Sequence, residues 1–254
     1  MPEQKKKIAV VMPIVSERWN DDMQKVLNRY LSPGFEVNLI NVKYGGMESL
    51  TGLAMVVALP YIIQEILKAA QEGYDAVIPN CFADPGVVQS RPVVNIPVVG
   101  PGESALHIAC MLGYRVGIIS PGSTPTQQLH GKGSSQTYQS VQSHGLSTRV
   151  VSNRGLALAV EDLGNAELTS DALHKASLKA IEEDGAEVLV LGCTGMTGYA
   201  EELQTKLDIP VVEPTVAALK MAEVLITTNL KHSRLAFPSR EVKYPLKYPP
   251  TLKL

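Results

Sequence analysis

Two of the three cysteines close the same nine-residue pattern. Gly73-Tyr74-Asp75-Ala76-Val77-Ile78-Pro79-Asn80-Cys81 aligns without a gap on Gly185-Ala186-Glu187-Val188-Leu189-Val190-Leu191-Gly192-Cys193, 112 positions later. Each reads as a buried strand that ends in a thiol. A thiolate is a usable base and a thiol a usable acid. One sulfur from each repeat, flanking a single carbon, would take a proton from one face and return one to the other. Next to a carbonyl, that transfer inverts the carbon without metal, pyridoxal or nucleotide. Behind the cysteines come Phe82-Ala83-Asp84-Pro85-Gly86 and Thr194-Gly195-Met196-Thr197-Gly198. Small residues and glycines there open backbone N–H groups to a developing enolate oxygen. Phe82, Ala83, Thr194 and Gly195 are therefore candidate substrate contacts. A strand end followed by a turn and a helix also predicts thiols with lowered pKa.

The remaining chemistry-bearing residues fit blander roles. Cys110 lies in the apolar helical run 105–112 and reads as core. His107, His130, His144, His174 and His232 lack ligand spacing with each other or with Cys, Asp or Glu, so no metal site is expected. Asp84 suits an Asx-type turn that orients the Cys81 loop. Glu48 and Ser49 are candidates for substrate contact or for loop capping. No Gly-x-Gly-x-x-Gly follows the first strand, no Lys-Ser/Thr follows Pro121-Gly122-Ser123, and no Gly-x-Ser-x-Gly elbow is present. No cofactor-binding residue is expected.

The elements that would carry the thiols also repeat. Lys7-Ile8-Ala9-Val10-Val11-Met12-Pro13 matches Arg115-Val116-Gly117-Ile118-Ile119-Ser120-Pro121, and Ile96-Pro97-Val98-Val99 matches Ile209-Pro210-Val211-Val212. Short β-rich runs alternate with helical patterns, which predicts βαβ units and parallel sheets. Met23, Val26, Leu27, Tyr30 and Leu31 have helical spacing, stopped by Pro33-Gly34. A strand over 36–42, a Gly-containing loop 44–52 and a helix to about 71 follow. A second-half helix is predicted over 173–183. The fold class is α/β, with two pseudosymmetric doubly wound domains, each on a parallel sheet of about four strands. Ligands bind outside the carboxyl ends of such strands, where both cysteines fall, so the active site is expected in the cleft between the domains.

Length and composition narrow the partners. The 254 residues allow one or two domains, and the repeat favours two. With 23 basic and 25 acidic residues and no basic stripe, nucleic acid is not an expected partner. Three cysteines form no disulfide framework, which predicts reduced thiols and a cytoplasmic location. The start, 5–12, mimics a signal peptide, but charges follow at once, and a first strand is the better reading. The longest apolar run, 53–63, is too short to span a bilayer, so no membrane partner is expected. The tail 237–254 carries four prolines and reads as an extended arm or a frayed end.

At Asn80 to Gly86, Pro97 to Glu103, Asp184 to Met196 and, more weakly, Gly45 to Ser49, the chain resembles the Asp/Glu/hydantoin racemase superfamily, most closely its hydantoin racemase branch. The resemblance spreads over about residues 6 to 215. It implies two pseudosymmetric α/β domains, 1–98 plus 213–254 and 99–212, and cofactor-free catalysis by Cys81 and Cys193 in a homo-oligomer. It also implies that loops after the first strand of each half hold the substrate, which adds Ser120. The chain departs from the family at Met12-Pro13-Ile14-Val15-Ser16, where hydantoin racemases carry Asn-Pro-Asn-Ser/Thr. The loss removes amide donors and acceptors.

The function expected is that of a cofactor-independent two-cysteine racemase or epimerase, an isomerase acting on a small molecule, with 5-substituted hydantoins leading. Aspartate- or glutamate-type amino acids come second, because no Arg lies in the cysteine loops to clamp a carboxylate. A maleate isomerase-like or decarboxylase-like activity follows, and a non-catalytic small-molecule binding protein is the distant rival.

Overall fold

A computed structural model describes residues 5–50, 52–122, 130 and 132–239. The first sheet has the order β2-β1-β3, with β1 (Lys6–Met12), β2 (Phe35–Asn41) and β3 (Ala76–Pro79), all parallel. The second has the order β5-β4-β6-β7, with β4 (Val116–Ser120), β5 (Val150–Gly155), β6 (Val188–Leu191) and β7 (Val211–Val212), also parallel. Ile8 to Val11 and Val188 to Leu191 are fully buried. Strands covered on both faces read as unbroken apolar runs, as these do.

The repeat holds at the level of individual hydrogen bonds. Val77 N–H donates to Pro97 O at 2.9 Å and Leu189 N–H to Pro210 O at 2.9 Å. The second sheet continues that contact as the two-residue β7. The first stops after one parallel bridge, Val77 to Val98, so among the described residues it has three strands where about four were expected.

Helices cover the strands. They are α1 (Asn20–Tyr30), α2 (Leu53–Gln71), α3 (Val87–Ser90), α4 (Pro101–Leu112), α5 (Ser135–Ser143), α6 (Ala166–Glu182), α7 (Ala200–Leu207) and α8 (Pro214–Thr227). In α1, Met23 and Leu27 are buried one turn apart, Asp21 and Asp22 face the positive end of the dipole, and Arg29 the negative end. The helix closes at Leu31, and Gly34 then takes φ +86°, a conformation glycine adopts without steric cost. Helix α2 buries Ala58, Ile62, Glu65, Ile66 and Ala69, one face at helical spacing. It runs well past the eleven-residue apolar stretch of the sequence, and its 19 residues are long and apolar enough to cross a membrane by length and composition.

The chain forms two compact units. One holds residues up to Asn80, Asp84–Gly100 and everything from Leu219 on; the other holds Cys81–Ala83 and Pro101–Ala218. The first unit is closed by the returning segment. His232 Nε2 accepts from Val98 N–H at 2.8 Å, and Arg234 donates to Arg91 O at 2.9 Å, Val94 O at 2.6 Å and Asn95 Oδ1 at 2.6 Å. Residues 240–254 of the Pro-rich tail lie outside the described residues. The second unit's core gathers Phe82, Leu106, Ala109, Ile118, Val141 and Val190, with Cys110 packed against it as the apolar run predicts.

Candidate active site

Both thiols leave their sheets by the same hydrogen bond. Asn80 N–H donates to Val11 O at 2.8 Å and Gly192 N–H to Ile119 O at 2.6 Å, each fixing the residue before the cysteine on the central strand. Cys81 and Cys193 are half-buried, and no cysteine is in a disulfide. Contacts assign Cys81, Phe82 and Ala83 to the second unit, so both candidate thiols are carried by residues of that unit.

Cys193 is the better-defined centre. The chain turns in a 3-10 helix over Thr194–Met196, which brings Gly195 N–H to 3.4 Å from Cys193 Sγ. A Cβ added at Gly195 would lie 3.5 Å from that sulfur and 3.4 Å from Leu163 Cδ1, ordinary contact distances, so the turn has room for a small side chain there. Burial pushes the Cys193 thiol up to about 11, while the Gly195 amide pulls it down. This corrects the lowered pKa expected from the strand-end position. The amide donor is there, but loss of hydration disfavours the thiolate more than one N–H favours it. At neutral pH, Cys193 is a thiol.

The other predicted contacts divide. Thr194 and Gly195 form the turn over the Cys193 sulfur. Ala83 is half-buried and follows Phe82, whose side chain is 3% exposed in the second unit's core and whose carbonyl accepts from Ser140 Oγ at 3.4 Å. Phe82 thus anchors the Cys81 loop with its ring. Ser120 is fully buried; its hydroxyl accepts from Ser134 N–H at 2.9 Å and lies 3.4 Å from Asn153 Oδ1. That hydroxyl is committed to holding the segment at Gly133 and Ser134. Ser49 is half-buried in a turn so tight that a Cβ at Gly46 would clash with the Ser49 carbonyl. Glu48 pairs with Arg18 at 2.7 Å.

The loop after β1 is strapped to the same turn. Val15 N–H donates to Gly46 O at 3.0 Å and Ser16 N–H to Met47 O at 2.9 Å, while Asn41 Nδ2 donates to Ile14 O and Ser16 O. Met12 and Ile14 are buried, so this loop presents apolar side chains to its surroundings.

Sequence reasoning missed Glu213, at the end of β7. Its carboxylate accepts from Thr197 Oγ1 at 3.1 Å and from Gly198 N–H at 3.0 Å. A signal was present, since the repeat aligns Glu213 with Gly100 and brings Thr197 near Asp84. Asn80 was missed too: its Nδ2 lies 3.5 Å from Met12 Sδ and 3.6 Å from Met23 Sδ. Among the described residues, no cluster of His, Cys, Asp and Glu has the makings of a metal site.

The chain is similar to known proteins. The profile of the Asp/Glu/Hydantoin racemase family matches residues 8–222. A hydantoin racemase from Pseudomonas sp. (strain NS671) is 34% identical over 191 residues, 75% of this chain and 72% of the relative. One from Paenarthrobacter aurescens is 28% identical over 233 residues, 90% and 94% of the two chains. The crystal structure of allantoin racemase from Pseudomonas fluorescens superposes with a TM-score of 0.85 at 25% identity, covering 95% of this chain and all of the other.

Proposed function

The chain belongs to the Asp/Glu/hydantoin racemase family, and from that premise we propose that it is a cofactor-independent racemase that inverts C5 of 5-substituted hydantoins, with Cys81 and Cys193 as opposed acid and base. The observation that carries the reading is the pair of thiols at repeat-equivalent strand ends, each set by the same N–H to central-strand carbonyl bond.

The steps balance without an outside reactant. In one direction Cys81, as thiolate, takes the C5 proton and becomes a thiol, and the electron pair left on C5 spreads onto the C4 carbonyl as an enolate. Cys193, a thiol at neutral pH, delivers its proton to the opposite face of C5 and is left as thiolate. The reverse sequence converts the other enantiomer. Since burial raises Cys193, its thiolate is a strong base once formed, which suits abstraction from carbon. Backbone N–H groups of the turns after each cysteine would receive the enolate charge.

Hydantoins are favoured as substrates because their C–H sits beside a neutral carbonyl, and neither cysteine loop offers an Arg for a carboxylate. Two-thiol chemistry needs both sulfurs reduced, which supports a cytoplasmic setting. A homo-oligomer is supported by helix α2, where Leu53, Val56 and Val57 stay exposed and Tyr44 packs on Tyr61 at 4.9 Å between ring centroids. Light scattering on the purified protein tests that reading, and a monomer would refute it.

The deciding assay incubates the protein in D2O with single enantiomers of 5-substituted hydantoins, allantoin, aspartate, glutamate and maleate. Optical rotation should decay only with the hydantoin class while deuterium enters C5. Racemisation of an amino acid alone, or turnover of maleate alone, would overturn the assignment.

A further inference from the structure

We propose that Glu213 is the positioning residue of the Cys193 loop, and that the first repeat fills the same place with a carboxylate reaching from the opposite side, Asp84. The inference deepens the racemase reading and rests on it.

Glu213 is 8% exposed, at the junction of β7 and α8. An acidic side chain costs free energy there unless its oxygens are paired. Each oxygen has a donor from the thiol loop, Thr197 Oγ1 on one and Gly198 N–H on the other. The two bonds span consecutive residues of the loop, so they fix its direction as well as its distance. That loop is continuous with the 3-10 turn that lays Gly195 N–H on the sulfur. Burial raises the Glu213 carboxyl and these two hydrogen bonds lower it, so the loop's donors offset part of what burial costs.

The repeat supplies an independent observation. Gly100 aligns with Glu213, and a Cβ built on Gly100 would lie 2.5 Å from Asp84 Cγ. The seam between cysteine loop and final strand therefore holds a carboxyl group in both halves. In the second half the strand end contributes it and the loop supplies Thr and Gly. In the first, the loop contributes it and the strand end supplies Gly. Asp84 takes φ +51°, a left-handed conformation that aspartate visits more readily than most residues and that turns the loop here.

The test reads the thiol directly. In Glu213→Ala, site-resolved alkylation by iodoacetamide should show Cys193 reacting more slowly, with its pH midpoint moved upward because Gly195 N–H no longer sits on the sulfur, and Cys81 unchanged. Racemisation should lose kcat by about tenfold to hundredfold with little change in KM. Glu213→Gln should recover most of both, since its amide accepts from Gly198 N–H and donates to Thr197 Oγ1. Thr197→Val, at a half-buried position, removes one bond from the loop side and should fall between; it carries the test if the alanine variant does not fold. The proposal is overturned if Cys193 alkylation in Thr197→Val matches the parent, if Cys81 shifts as much as Cys193, or if Gln rescues no better than Ala. Alkylation needs no substrate, so a wrong substrate assignment leaves this outcome readable.

Discussion

The two repeats agree at the edge where strands enter the sheet and diverge at the edge where they leave it. At entry, Asp75 Oδ2 accepts from Lys7 N–H at 2.8 Å, and the aligned Glu187 Oε2 accepts from Tyr114 N–H at 2.8 Å and Arg115 N–H at 3.2 Å. At exit, Asn80 faces two methionine sulfurs, whereas Gly192 lies so close to Ile118, Ile119 and Ser120 that a Cβ would come within 2.8 Å of Ile118 Cγ2. Asp84 leans on Gly100, and Glu213 on Thr197 and Gly198. Packing constrains the entry edge alike in both halves. Under the proposed two-thiol reaction, the exit edges would serve opposite faces of a chiral carbon, and identical loops would not suit mirror-related tasks.

That contrast breaks most clearly at the sulfurs. Cys81→Ser and Cys193→Ser should each lower racemisation by about 10²–10⁴-fold. Each should keep deuterium incorporation at C5 for one enantiomer, and for opposite enantiomers, as NMR in D2O reads. Loss of exchange with both enantiomers in either variant would end the division of labour.

Next in size is a swap at the residue before each thiol. Gly192→Asn forces side-chain atoms onto β4 and should cost about 1–3 kcal/mol, seen as a lowered midpoint in urea. Asn80→Gly crowds nothing; it empties a buried position of its polar contacts, those to the two methionine sulfurs among them, and should cost less, about 1 kcal/mol. Equal costs would mean the exit edges are constrained alike.

Cys193 also predicts a pH window. Its thiol is raised from 9.0 to about 11, so the folded state favours the protonated form relative to the unfolded chain. Stability from this group is complete below pH 9 and is lost as pH rises toward 11, by no more than about 2 kcal/mol. Thermal melts of parent and Cys193→Ser between pH 8 and 11 should converge with rising pH. A parallel decline would show that the thiol is not raised.

The smallest effects belong to the shared edge. Asp75→Asn and Glu187→Gln should each cost under about 1 kcal/mol and leave kcat unaltered. A change in kcat for only one would extend the asymmetry to the whole repeat.

Much of the fold was legible because buried parallel strands write themselves as apolar runs, and the duplicated runs exposed the second set of strands. Helix α2 was legible to its end at Gln71, and α1 through the spacing of Met23 and Leu27. The missing fourth strand of the first sheet was not, since Ile96-Pro97-Val98-Val99 and Ile209-Pro210-Val211-Val212 read alike and only the backbone path separates a bridge from a strand. Phe82 was legible as a loop residue, whereas Ser120, read with the loop, is the last residue of β4; the engagement of Phe82 with the core and of Ser120 with Ser134 depends on partners distant in the chain.

The sequence alone determined the two repeat-equivalent cysteines as candidates, the parallel sheets that carry them and the family to which the chain belongs, because each follows from residue type and order. Tertiary structure decided what those positions are worth chemically. It desolvated Cys193 against the pull of its own turn, spent the Ser120 hydroxyl on the scaffold, and brought Glu213 to Thr197 and Gly198. Solvation and long-range hydrogen bonds depend on what surrounds a group in space, and no local run of residues encodes that.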